Sequence, residues 1–372
     1  MTSLNPSLQH AMRLMQSGDL HAATRAIQQG LGASASSGAR NDDTFHGSPA
    51  RAASDVIDGE FSVVDRDEAA DTRDSTSSAT QHTKAVFEAR RYVGDAGELD
   101  YKLYIPAGLD TANAPLLLML HGCTQSPDDF ARGTRLNALA DVHGYVIAYP
   151  EQSSARNANR CWNWFRSSDQ QRGSGEPALL AALSRQLIAT HCLDKRRVYV
   201  AGLSAGGAMA AVLANTHPDL FAAIGVHSGL PIGLASDVPS AFAAMRSGGQ
   251  RRKGTASNNA TRPVPAIVFH GDKDTTVHPS NGEGVIAQSL ADHGVDAAAA
   301  EVATIKHGVA AGGRRYTRTV HRLVDGRVAA EHWIIEGAGH AWSGGDAAGS
   351  YTDPNGPDAS AHMLRFFSEC TR

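Results

Sequence analysis

Short apolar runs recur through the middle of the chain, at residues 115–120, 145–149, 198–203, 224–227 and 266–270. None alternates cleanly between polar and apolar positions, so each predicts a strand buried on both faces, as in a parallel sheet. The segments between them carry apolar residues at helical spacing. Residues 128–143 place Phe130, Leu136, Leu139 and Ala140 on one side, and residues 176–191 have Pro177 in the first turn. Strand and helix alternate throughout. This predicts an α/β fold with a mostly parallel central sheet and helices on both faces. Residues 87–92 and 99–105 read as paired strands turned at Gly94-Asp95-Ala96-Gly97. A second hairpin, residues 315–323 and 329–335, turns at Asp325-Gly326, and a last helix spans 358–367.

Ahead of this domain, assigned to residues 83–372, the pattern changes. In residues 1–31, Leu8, Met12 and Met15 share one helical face, and Leu20, Ala23 and Ile27 share another, with a break at Ser17-Gly18-Asp19. A small helical hairpin is expected, either packed on the main domain or serving as an amphipathic docking element, with disorder as the remaining alternative. Residues 32–82 are rich in small and polar residues, with ten acidic against four basic residues between positions 40 and 74. Such a segment buries too little apolar surface to offset an ordering entropy of about 1–2 kcal/mol per residue, and it reads as a disordered acidic linker. Residues 233–262 are Ala-, Ser- and Gly-rich with a basic knot at Arg251-Arg252-Lys253. They are long for a connection, and read either as a mobile cap or as a surface insertion.

Composition narrows the function. A net charge of −4 provides no bulk attraction to nucleic acid or an anionic membrane. No run reaches the ~18 apolar residues of a transmembrane segment. Four cysteines among 372 residues are too few for a disulfide scaffold and lack metal-ligand spacing. The opening residues Met1-Thr2-Ser3-Leu4-Asn5-Pro6 lack a secretory pattern, so a cytoplasmic location is expected.

The candidate chemistry centres on Gly202-Leu203-Ser204-Ala205-Gly206, between an apolar strand and a helix-forming stretch. Tiny neighbours let a serine stand at the tip of a sharp strand-to-helix turn with the next N–H aimed at the same spot, the arrangement of a nucleophile elbow. A serine hydroxyl needs a base, an orienter for that base and donors for the oxyanion. Asp272 and Asp274 both follow the 266–270 strand. Asp274, further out, is assigned to the base and Asp272 to the turn. Among the histidines that follow, His340 alone lies in a small-residue loop directly after a strand, Gly337-Ala338-Gly339-His340-Ala341-Trp342. His121-Gly122-Cys123 closes an earlier central strand, so the Cys123 N–H is expected to join the Ala205 N–H as an oxyanion hole, with His121 structural beneath it. Aromatics make up 6% of the chain, yet Cys161-Trp162-Asn163-Trp164-Phe165 gathers three, and Trp342 adjoins His340. Trp162, Trp164 and Trp342 are candidates for an apolar substrate wall, the bland reading being that the loop packs on the sheet. A Cys123–Cys161 bridge would tie this loop to the oxyanion loop, whereas an intracellular compartment disfavours one.

Together, His121-Gly122-Cys123-Thr124-Gln125-Ser126, Tyr149-Pro150-Glu151-Gln152, the Cys161–Phe165 stretch, Gly202-Leu203-Ser204-Ala205-Gly206-Gly207 and Gly339-His340-Ala341-Trp342 resemble the polyhydroxybutyrate depolymerase family of esterases, over roughly residues 87–367. The resemblance implies an α/β-hydrolase fold and a serine hydrolase without metal or cofactor. It implies Ser204, Asp274 and His340 as the triad, Cys123 in the oxyanion loop and the Trp162 loop near substrate. The implied substrate is an ester of a short hydroxy acid, polyhydroxybutyrate or its oligomers, with feruloyl or acetyl esters of polysaccharide as the alternative. Lacking a visible signal peptide and a following substrate-binding domain, the chain looks more like intracellular members. The N-terminal hairpin would then meet a polymer granule surface. A reading of another class, a granule- or surface-binding protein with a vestigial hydrolase domain, is opposed by the intact Ser, Asp, His order.

Overall fold

The computed structural model describes residues 83–248, 262–295 and 302–372. The expected hairpin and linker of residues 1–82 lie outside them, as does the basic knot. The apolar runs form the middle of a ten-stranded sheet. Its strands are β1 (Val86–Gly94), β2 (Gly97–Ile105), β3 (Leu116–Leu120), β4 (Val146–Pro150), β5 (Val198–Leu203), β6 (Ala223–His227), β7 (Ala266–Gly271), β8 (Val302–Val309), β9 (Arg315–Arg322) and β10 (Val328–Ile335). Their spatial order is β1-β2-β4-β3-β5-β6-β7-β10-β9-β8. The six strands from β4 to β10 in that order are parallel, and antiparallel pairs flank them at both edges.

Each central strand is buried on both faces. Along β3, Leu116, Leu118 and Leu120 enter one core while Leu117 and Met119 enter the other, and none is more than 1% exposed. Burying a side chain of this size stabilises by about 1.5–3 kcal/mol, which holds these runs at the sheet centre. The core of Leu117 and Met119 is covered by α1 (Pro127–Thr134), α2 (Leu136–His143) and α7 (Ala359–Ser368). The core of Leu116 is covered by α3 (Gly175–His191), α4 (Ala205–Thr216), α5 (Val238–Ser247) and α6 (Ser280–Asp292). No helix among the described residues is long and apolar enough to cross a membrane.

Three elements depart from the pattern-based expectation. The single helix over residues 128–143 is two helices, broken at Arg135 with φ 56°. The Gly133 carbonyl there accepts from the Asp346 N–H at 2.8 Å, and the Arg135 guanidinium donates to Gly344 O and Asp358 Oδ2. A remote loop thus takes a carbonyl that a continuing helix would have used. Within residues 233–262, where the pattern predicts no element, α5 is a regular helix opened by an Asp237–Ser240 capping box. β8, absent from the pattern, is an edge strand with Ile305 and Val309 exposed, and no apolar run marks it. A short parallel ribbon, β11 (Trp342–Ser343) and β12 (Thr352–Asp353), follows the His340 loop.

Candidate active site

The parallel strands β3, β4, β5, β7 and β10 end at one edge of the sheet, and the loops after them carry the residues singled out above. Ser204 joins β5 to α4 with φ 56° and ψ −119°, a strained conformation for a residue with a side chain. Its N–H donates to His227 O at 2.9 Å. The turn is possible because its flanks lack side chains. A Cβ on Gly206 would stand 2.0 Å from Leu120 O, and one on Gly202 would stand 2.4 Å from the Gly206 carbonyl carbon. Ala205 opens α4, so its N–H is among those with no acceptor inside the helix.

After β3, the Gly122 N–H donates to Gln125 Oε1 (2.9 Å) and the Thr124 N–H to Asn159 O (2.7 Å). The Cys123 N–H between them has no acceptor among the described residues. Cys123 and Cys161 form a disulfide, which binds this loop to the tryptophan-bearing loop. Beneath, His121 is 1% exposed. Its Nε2 accepts from the Gln152 N–H at 3.1 Å, which leaves Nδ1 to donate to Gly122 O at 2.7 Å. Burial lowers the His121 pKa to about 4, so the ring is neutral, in keeping with a structural role. The second loop is anchored by the buried carboxylate of Glu176 in the first turn of α3. It accepts from the Asn163 N–H (2.7 Å), from Asn163 Nδ2 (2.6 Å) and from Gln152 Nε2. Burial pushes this carboxyl up, against the pull of those three donors.

Asp272 and Asp274 part company in the loop after β7. Asp272 Oδ1 accepts from the Gly337 N–H at 2.6 Å and secures the turn. Asp274, 4% exposed, accepts at Oδ1 from the Thr276 and Val277 N–H groups and at Oδ2 from His340 Nδ1 at 2.7 Å. His270 Nε2 donates to Val277 O at 2.8 Å and lies 3.4 Å from the same Oδ2. Burial alone would raise the Asp274 pKa, but the nearby His270 ring and the hydrogen bonds from His340 and the backbone hold it well below the usual carboxylate range. With Nδ1–H on this carboxylate, the neutral tautomer of His340 carries its free lone pair on Nε2, the nitrogen able to accept a proton. His227, at the end of β6, is not singled out by the sequence pattern. It is stacked between Phe269 and Trp342, and its Nε2 accepts from the Ser343 N–H at 2.9 Å. Its place at the end of a buried strand was the available signal.

The tryptophans do not form the expected wall. Trp162 is 0% exposed, with its indole N–H on His121 O at 3.1 Å. Trp342 is 1% exposed, with its indole N–H on Ser360 Oγ at 3.0 Å. Trp164 is also buried, edge-on to Phe165. A buried indole N–H needs an acceptor, and these acceptors turn the rings inward. Trp162 and Trp342 therefore brace the Cys123 and His340 loops from behind.

A family model described as esterase PHB depolymerase matches residues 99–309, a span holding Ser204 and Asp274. The poly(3-hydroxyalkanoate) depolymerase C of Paucimonas lemoignei is 33% identical over 265 residues, covering 69% of this chain and 61% of that protein. The feruloyl esterase B of Thermothelomyces thermophilus is 30% identical over 225 residues, covering 56% of this chain and 76% of that one. The chain therefore spans about three fifths of the length of the first relative. Among solved structures, acetyl xylan esterase from Aspergillus awamori superposes with a TM-score of 0.58 at 20% identity, covering 76% of this chain and 99% of that one, a likeness of fold. The nucleophile-elbow geometry, the α/β-hydrolase sheet and the family match agree: this chain belongs to the PHB depolymerase family of esterases.

Proposed function

We propose that this chain hydrolyses esters of short hydroxyalkanoic acids, as in polyhydroxybutyrate or its oligomers, through an acyl-enzyme on Ser204. The observation that carries the reading is the Asp274–His340 hydrogen bond, set at the same sheet edge as the strained Ser204 and the Cys123 N–H, which has no acceptor among the described residues. In this mechanism His340 Nε2 takes the Ser204 proton as Oγ attacks the ester carbonyl. The Cys123 and Ala205 N–H groups hold the oxyanion, each such donor being worth about 2.7–4 kcal/mol of barrier. The tetrahedral intermediate expels the alcohol, which leaves with the proton from His340. Water then attacks the acyl-enzyme with His340 again as base, releasing the acid and restoring Ser204. Asp274 fixes the tautomer and steadies the imidazolium throughout.

A second reading keeps this machinery and exchanges the substrate for feruloyl or acetyl esters of polysaccharide. It is favoured by the feruloyl esterase relative and by the disulfide, since such bonds persist in oxidising compartments. The first reading carries with it a cytoplasmic address and granule docking through residues 1–31. Comparing granule association of the full chain and of a chain lacking residues 1–82 tests the docking, and equal association refutes it. The substrate test uses wild type and Ser204→Ala on hydroxybutyrate oligomers, amorphous polyhydroxybutyrate, feruloyl esters and acetyl-xylan. Serine-dependent release from the hydroxybutyrate substrates is expected, with Ser204→Ala down by at least about 10⁴-fold and still folded. Release from the carbohydrate esters alone would establish the second reading.

A further inference from the structure

With the tryptophans turned inward, Tyr351 is the one exposed large aromatic side chain among the described residues, at 47%. It stands between the two halves of the site. Its carbonyl accepts from the Trp342 N–H at 2.7 Å, two residues from His340. Its hydroxyl lies 3.3 Å from Thr124 Oγ1, the residue after Cys123. The residue is thus tied through its backbone to the His340 loop and through its ring hydroxyl to the Cys123 loop.

The segment is firmly held. The Ser350 N–H donates to Asp129 Oδ1 at 2.9 Å, and Ser350 O accepts from Gln125 Nε2 at 3.1 Å. The other end of that Gln125 amide accepts from the Gly122 N–H. Tyr351 is therefore registered on the oxyanion loop through its neighbour as well as through its own hydroxyl. Its backbone has φ 52°, a left-handed conformation that a bulky residue adopts at a cost. Thr124 and Ser204 share that feature at the same edge, with φ 68° and 56°. Strain of this kind persists where surroundings over-determine it, and it clusters at working sites. Tyr351 stabilises no core, since nearly half of it meets solvent.

We infer that Tyr351 is the aromatic surface on which the substrate chain lies beside the scissile ester, and that it sets a preference for oligomers over minimal esters. The inference rests on the hydroxyalkanoate reading above. An uncharged chain of methyl-bearing carbons and ester groups offers flat apolar surface to an aromatic face, while a bare acetyl group ends before reaching it.

The test compares wild type, Tyr351→Gly and Tyr351→Phe on 3-hydroxybutyrate trimer and on p-nitrophenyl acetate. Glycine adopts φ 52° freely, so Tyr351→Gly removes the ring and keeps the turn. Phenylalanine keeps the ring and drops the Thr124 contact. The expected result is a KM for the trimer raised about tenfold in Tyr351→Gly with kcat within about twofold, no matching loss on p-nitrophenyl acetate, and Tyr351→Phe close to wild type on both. An unchanged trimer KM in Tyr351→Gly, or equal losses on both substrates, overturns the inference. Wild type inert on the trimer but active on p-nitrophenyl acetate defeats the hydroxyalkanoate reading itself, and this inference with it, before any variant is compared.

Discussion

The two halves of the candidate site are fixed by different means. On the β7–β10 side, Asp274 and His340 are held by hydrogen bonds alone, around a carboxylate kept ionised. On the β3–β4 side, the Cys123 loop rests on a neutral histidine and is bridged covalently to the tryptophan-bearing loop, which a buried glutamate anchors in turn. The difference follows from the work proposed for each. A group that passes a proton must change charge and be steadied by fixed charge while doing so. A backbone N–H that waits for an oxyanion gains only from being immobile, and a disulfide supplies immobility without adding a titratable group.

Three substitutions test this contrast. Asp274→Asn presents an amide to His340 Nδ1 and favours the wrong tautomer. It should lower kcat by about 10⁴-fold while thermal unfolding shifts little, and a loss below tenfold would mean that the carboxylate is dispensable. Next in size is the disulfide. Cys123 and Cys161 are separated by 38 residues, so Cys161→Ser should cost about 4 kcal/mol in chemical unfolding by the loop-entropy model. Its kcat should fall about tenfold as Cys123 loosens, while the pH profile keeps its midpoint, because the Asp274–His340 half is untouched. A moved midpoint would show that the halves are coupled. The smallest effect concerns His121, whose pKa is lowered to about 4. A neutral buried imidazole contributes its full stability above about pH 6.5 and loses it as the pH falls from there toward 4. Between pH 7 and 4.5 this amounts to about 2–3 kcal/mol. His217 and His332 are lowered too, so the readout is the difference between wild type and His121→Gln in urea unfolding, with the variant less acid-sensitive.

Much of this was legible in the sequence, for reasons visible in particular residues. A run such as Leu116–Leu120 has one outcome when both faces of a sheet are covered, and the glycines around Ser204 announce a turn that tolerates nothing larger. The pairing of Asp274, rather than Asp272, with His340 followed from its place further out in the loop. What escaped depended on partners far along the chain. The break at Arg135 turns on a Gly133–Asp346 hydrogen bond that no local propensity encodes. Trp162 and Trp342 were misjudged because clustering reveals that aromatics matter, not which way they face. That is decided by His121 O and Ser360 Oγ. Tyr351 was passed over because an isolated tyrosine in a polar loop carries no pattern.

Gly202 and Gly206 are required by the approach of β5 and α4 to the end of β3, whether or not Ser204 ever attacks an ester. Selection on the fold alone would preserve both. A gene copy that had lost its hydrolytic role would then be free to drift at position 204 while its glycines stayed, leaving Gly-x-x-x-Gly with another residue at the centre. In comparisons across a lineage the glycines therefore record shared architecture, and the residue between them records whether the chemistry was kept.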